Sequence, residues 1–131
     1  MDTKSGSANK AVTFGEYVKA RREALGKSLR GCADELDIAG PYLFDIEKGN
    51  RPAPEKKLDS FIEVLHITGD EVNTFFDLAG LSRKNNFPDL AEYIGNSTLA
   101  RVALRTARDV KLPDSRWEEI INQMKQPPDG E

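Results

Sequence analysis

Residues 28–50 read SLRGCADELDIAGPYLFDIEKGN, and they divide into a helix, a tight turn, a second helix and a glycine stop. Ser28 opens the first helix, because a serine hydroxyl can accept a bond from a free backbone N–H one turn on. Leu29, Cys32, Ala33 and Leu36 recur at helical spacing. After Asp37-Ile38-Ala39 the second helix is predicted to begin at Pro41, with Gly40 as its cap. Proline suits the first helical position, since its φ is already set and its missing N–H had no helical partner. Leu43 and Ile46, with Tyr42 beside them, give this helix an apolar face. Gly49 stands where a left-handed helix end favours a residue without Cβ.

Two short helices joined by a three-residue turn form a helix-turn-helix, and the second helix of that motif ordinarily lies in the DNA major groove. The surroundings extend the pattern. FGEYVKARREALGKSLRGCADELDIAGPYLFDIEKGNRPAPEKKLDSFIEVL, from Phe14 to Leu65, resembles the lambda-repressor-like, or Xre/Cro, family of bacterial and phage regulators. YLFDIEKGNRPAP is its most specific piece and is similar to the second motif helix and exit loop of that family. Gly26, Ser28 and Ala33 fall in their usual places. A weaker resemblance, to a subgroup of these regulators, continues through DLAGLSR and ARVALRTA.

Outward from the motif, the pattern is helical throughout. Thr13 and Glu16 have capping-box spacing at the start of a helix that carries Phe14, Tyr17, Val18 and Leu25 on one side and ends at Gly26. Pro52 and Pro54 stiffen the exit loop. A fourth helix is predicted over about 55–65, with Leu58, Phe61, Ile62 and Leu65 inward. A fifth is predicted over about 70–79, opened by a Thr68–Glu71 box, made apolar by Val72, Phe75, Phe76 and Leu78, and stopped by Gly80. Residues 82–88, SRKNNFP, read as a hinge. Beyond it come predicted helices near 89–94, 97–110 and 115–125, the last with a Ser115–Glu118 box. The expected fold is all-α: a polar N-terminal tail over 1–11, a five-helix lambda-repressor-like DNA-binding domain over 12–81, and a helical extension over 82–131. Lys4 and Lys10 make the tail either a DNA arm or plain solvated chain. The stripes Leu99, Val102, Ala103, Ala107 and Trp117, Ile120, Ile121, Met124 are too small for a free-standing core. They are expected either to pack on the first domain or to meet a second copy, with Trp117 as anchor.

Composition narrows the function. The chain has 131 residues, 38% of them apolar, and one cysteine, so no intrachain disulfide can form. Cys32 lies on an apolar helix face and is read as a small buried hydrophobe. No apolar run nears the ~20 residues that span a bilayer, and the first ten residues lack the apolar centre of a secretory signal; a cytoplasmic location is expected. The net charge of −3 is unevenly spread. Residues 1–58 hold 11 Lys/Arg against 9 Asp/Glu, and residues 59–131 hold 8 against 13. The excess of cations in the motif half suits DNA, where a local basic rim is sufficient.

Enzymatic readings fail for want of groups. His66 is the one histidine; no phosphate-binding glycine loop, nucleophile elbow or metal-ligand spacing is present. Adjacent carboxylates such as Asp34/Glu35 and Glu118/Glu119 point about 100° apart on a helix and share no site. No cofactor and no metal are expected.

The resemblance implies roles for particular residues. Gly40, Pro41, Phe44 and Asp45 occupy the base-facing positions. The set holds no Gln, Asn or Arg for a bidentate contact to adenine or guanine. Phe44 is suited to a thymine methyl, or alternatively to a core or dimer contact, and Asp45 to a cytosine amino group. DNA shape is expected to supply part of the discrimination. Phosphate contacts are expected from Lys27, Ser28, Leu29, Arg30, Tyr42 (through its hydroxyl), Lys48, Asn50 and Arg51. By resemblance, Arg22 pairs with Glu47 as a tie between helices; otherwise it faces solvent. The expected function is a transcriptional repressor that occupies an operator as a homodimer, with Leu99, Val102, Trp117, Ile120, Ile121 and Met124 as its dimer or packing surface. Two alternatives stand beside it. One is an antitoxin that represses its own operon and binds a toxin protein. The other is a protein-interaction module that kept the fold without DNA binding.

Overall fold

The computed structural model describes residues 12–128; the 1–11 tail expected from sequence lies outside them. All regular structure among the described residues is helical. The order is α1 (Phe14–Ala24), α2 (Leu29–Leu36), α3 (Gly40–Lys48), a 3-10 turn (Glu55–Lys57), α4 (Leu58–Val64), α5 (Glu71–Leu81), α6 (Pro88–Asn96), α7 (Thr98–Val110) and α8 (Asp114–Lys125). The chain forms two compact units that divide within α6, between Ala91 and Glu92.

In the first unit α1 packs on α3 and α5, and α2 packs on α3 and α4. Phe14, Val18, Cys32, Ala33, Leu36, Leu43, Ile46, Leu58, Phe61, Leu65 and Phe75 form one buried core. Phe14 is central, its ring centroid 5.2 Å from that of Phe75 and 6.1 Å from that of Phe61, in tilted arrangements that suit aromatic quadrupoles. Of the α5 apolar set only Phe75 is fully buried; Val72, Phe76 and Leu78 are half-buried.

Helix ends follow local chemistry where the side chains are free to act. The Thr13–Glu16 box is complete: Glu16 N–H donates to Thr13 Oγ1 at 3.1 Å and Thr13 N–H to Glu16 Oε1 at 3.0 Å. Ser28 Oγ accepts from Gly31 N–H at 2.9 Å. Asp37, at φ 58°, closes α2 in the left-handed region, and Gly49, at φ 82°, closes α3. Aspartate tolerates that region better than most side chains.

Four local expectations are corrected. Helix α3 starts at Gly40, with Ala39 as its cap, one residue before Pro41. The box at Thr68–Glu71 does not form. Asp70 caps α5 in a right-handed helical conformation without a side-chain bond, because the Glu71 carboxylate is drawn to α1, where Tyr17 donates to it at 3.2 Å and Arg21 lies at 3.5 Å. Gly80 does not stop α5. It lies inside the helix, where a Cβ would collide with the ring of Phe87; its role is to admit that ring. The Ser115–Glu118 box is also absent, since Pro113 takes the cap position and α8 begins at Asp114.

The 82–88 segment is tethered by its arginine. Arg83 Nη1 donates to Ala53 carbonyl at 2.6 Å and Nη2 lies 3.6 Å from Glu55. Two left-handed residues, Lys84 and Asn85, turn the chain into α6. In the second unit, Ser97 caps α7 by accepting from Ala100 N–H at 3.1 Å. Arg101 Nη1 binds the carbonyls of Ile94 and Gly95, both at 2.7 Å, so the end of α6 is satisfied by a side chain of the next helix. No described residue of α6, α7 or α8 is buried.

Candidate nucleic-acid interface

Helix α3 presents two faces. Leu43, Ile46 and Glu47 are buried, and Phe44 keeps 47% of its surface exposed. Pro41 is exposed, and Gly40 and Asp45 are half-buried. The four candidate base-facing residues therefore share one side of the helix, opposite Leu43 and Ile46. Phe44 stands at the middle of this side, with Lys48 Nζ 5.5 Å from its ring centroid.

Two features set the helix against the core. Gly15 of α1 lies under the last turn of α3, and a Cβ there would fall within 3.0 Å of the Ile46 and Glu47 carbonyl groups. Only glycine allows the two backbones this close. Beside it, Arg22 grips Glu47 in a bidentate pair, Nε to Oε2 at 2.7 Å and Nη2 to Oε1 at 3.0 Å, and donates from Nη1 to the Lys27 carbonyl at 3.0 Å. The hydrogen bond to Glu47 pushes the Arg22 guanidinium pKa above its ordinary value, against the effect of burial. One side chain thus joins α1, the loop before α2, and α3.

Cations flank the exposed side of α3 unevenly. Lys27 Nζ is 2.7 Å from Glu35 Oε1, so its charge is already partnered. The Ser28 hydroxyl is engaged as a cap, and Leu29 is half-buried. Arg30, Lys48 and Arg51 are exposed and, among the described residues, have no carboxylate within ion-pairing distance. Asn50 is exposed, and its N–H donates to the Asp45 carbonyl at 2.9 Å. Tyr42 is half-buried, with the Arg51 guanidinium carbon 3.9 Å from its ring centroid. A groove of about 620 Å³ runs between α1 and α3, lined by Thr13, Glu16, Lys19, Arg22, Phe44, Glu47, Lys48 and Gly49.

This arrangement of α2, turn and α3 agrees with comparison to known families, in which residues 13–75 match the model of a helix-turn-helix domain. Over these residues the fold is all-α, with a helix-turn-helix formed by α2 and α3. Among curated proteins and among solved structures, none matches the chain.

Within the helix-turn-helix domain, sequence reasoning missed Lys19 and Gly15. Helical spacing from Thr13 and Glu16 would have placed Lys19 on the groove side, but nothing local says that α3 lies there. Gly15 has no signal of its own, because a single glycine inside a helix is tolerated for several reasons. Among the described residues no group of three or more His, Cys, Asp and Glu could hold a metal, and no helix is long and apolar enough to cross a membrane.

Cys32 is fully buried on the inward face of α2, and burial pushes its thiol pKa up. The reactive thiolate is therefore scarce and shielded. Native protein is expected to react with a disulfide reagent at least about tenfold more slowly than denatured protein, read by release of the reagent's coloured thiolate; equal rates would place Cys32 at the surface.

Proposed function

We propose that the protein is a sequence-specific DNA-binding transcriptional regulator that represses by occupying an operator as a homodimer. The observation that carries this reading is the exposed side of α3, where Phe44 stands with Lys48 beside it, together with the exposed Arg30 and Arg51, all three cations unpaired among the described residues. Phosphate contacts from these cations hold the helix in the major groove, and the α2 N-terminus adds backbone N–H groups toward the same strand. Phe44 supplies apolar contact to a thymine methyl. Asp45 accepts from a cytosine amino group and discourages other bases by leaving its charge unmatched.

One helix-turn-helix buries little surface, so two copies on a two-fold site are the economical arrangement. Helices α7 and α8 are the proposed dimer surface. Leu99, Val102, Ile121 and Met124 are exposed there, and Trp117 and Ile120 line an apolar groove of about 340 Å³ with Ala103, Ala107, Val110 and Leu112.

Binding to a random-sequence duplex over a salt series tests the reading. Three phosphate contacts per protomer predict that log K falls with log salt at a slope of about −3 for a monomer and about −5 to −6 for a dimer. Selection from a random DNA pool should return a palindrome with half-sites about 34 Å apart. A second reading, a protein-interaction module, is favoured by the half-exposed Phe44 and the absence of a polar reader beside it. Lack of binding to any duplex at low salt would establish that reading over the first.

A further inference from the structure

Tyr42, in the first turn of α3, and Arg51, beyond its end, are brought into contact by the exit loop, with the guanidinium carbon 3.9 Å from the ring centroid. Both partners are anchored. The Tyr42 ring packs on the edge of the core. The loop is pinned at its start by Gly49 N–H to the Ile46 carbonyl at 3.1 Å and Asn50 N–H to the Asp45 carbonyl at 2.9 Å. At its other end Ala53 is buried, and its carbonyl accepts from Arg83 at 2.6 Å. The guanidinium carbon lies over the ring. An aromatic ring takes none of the guanidinium N–H donors as a hydrogen-bond acceptor would, so they stay available to a planar or tetrahedral oxyanion. No described carboxylate competes for them.

We propose that Tyr42 is a platform for Arg51 and not a phosphate donor: its ring holds the guanidinium in place to engage a backbone phosphate of duplex DNA, and its hydroxyl is dispensable. This rests on the DNA-binding reading above. A stacked arginine keeps its charge beside α3 and loses less freedom on meeting a phosphate than a solvated one would. The contact strengthens binding to any sequence alike, because phosphates carry no sequence information.

The test is a titration of the whole chain against a random-sequence duplex at several salt concentrations. R51A is expected to weaken binding about five- to tenfold per protomer and to reduce the salt slope by about one per protomer, so by about two for a bound dimer. Y42F should bind within about twofold of wild type, and Y42L about three- to fivefold more weakly. The effect of R51A should shrink in the Y42L background, since the arginine has then already lost its platform. R51K lies at the surface and leaves the core intact. It keeps the charge without the planar fork, and should lose about three- to fivefold with the slope unchanged. Equal losses in Y42F and Y42L would make the hydroxyl the contact and overturn the proposal. So would an R51A effect of the same size in both backgrounds, or R51K binding as wild type. A wild type that binds no duplex at low salt would instead remove the regulator reading itself.

Discussion

Replacing Gly15 by alanine is expected to lower the stability of the helix-turn-helix domain by about 2–3 kcal/mol. In an isolated helix the same change gains up to about 1 kcal/mol, because alanine is the better helix former. The sign reverses here because the new Cβ would sit within 3.0 Å of the backbone of Ile46 and Glu47. Those atoms belong to the last turn of α3, where the Ile46 carbonyl already accepts from the Gly49 N–H, so neither helix can yield without moving the other. A loss of this size lowers the thermal midpoint by roughly 10–20 °C in a domain of this length. Melting followed by far-ultraviolet circular dichroism reads it directly. Gly95 in α6 is the control: a Cβ there meets nothing within 4 Å, and G95A should leave the midpoint unchanged or slightly higher. A G15A protein that melts at or above the wild-type temperature would show that α1 and α3 do not approach as described.

The second large effect is at Arg22. R22A removes both hydrogen bonds to the Glu47 carboxylate and the one to the Lys27 carbonyl. The carboxylate that remains is buried, with 5% of its side chain exposed. Breaking a buried pair from one side costs about 3–5 kcal/mol. Both residues also line the open groove between α1 and α3, where water can reach an orphaned group, so the lower figure of about 2–3 kcal/mol is expected. The paired replacement R22M/E47L removes both charges and keeps most of the volume. It should recover much of the loss, because desolvating the pair offsets much of its attraction. Urea midpoints of the three proteins provide the comparison. An R22A midpoint equal to that of wild type would reduce the pair to a surface contact of no energetic consequence.

These residues mark where local reading succeeds and where it stops. The Thr13–Glu16 box forms as its spacing indicates, because both side chains face solvent and have no rival partner. The same spacing fails at Thr68–Glu71, where Tyr17 and Arg21 of α1 engage the glutamate. Gly49 ends a helix and Gly80 does not, although both follow an apolar helical run. The difference is conformation: Gly49 turns left-handed at φ 82°, whereas Gly80 stays helical inside α5 and leaves room for the Phe87 ring. Lys27 and Arg51 are both basic residues flanking the motif. The fold places Glu35 against the first and the Tyr42 ring against the second, and nothing in their immediate sequence distinguishes them.

Periodicity, capping residues and turn chemistry thus determined the helices, their order and the Ser28–Asn50 motif, since each depends on groups within about one helical turn of one another. The tertiary structure decided what each helix meets: the glycine contact between α1 and α3, the Arg22–Glu47 tie, and which cations, Arg30, Lys48 and Arg51, stay unpaired among the described residues. Those outcomes depend on atoms far apart in the chain that packing alone brings within a few ångströms, and side-chain charge and size act only at that range.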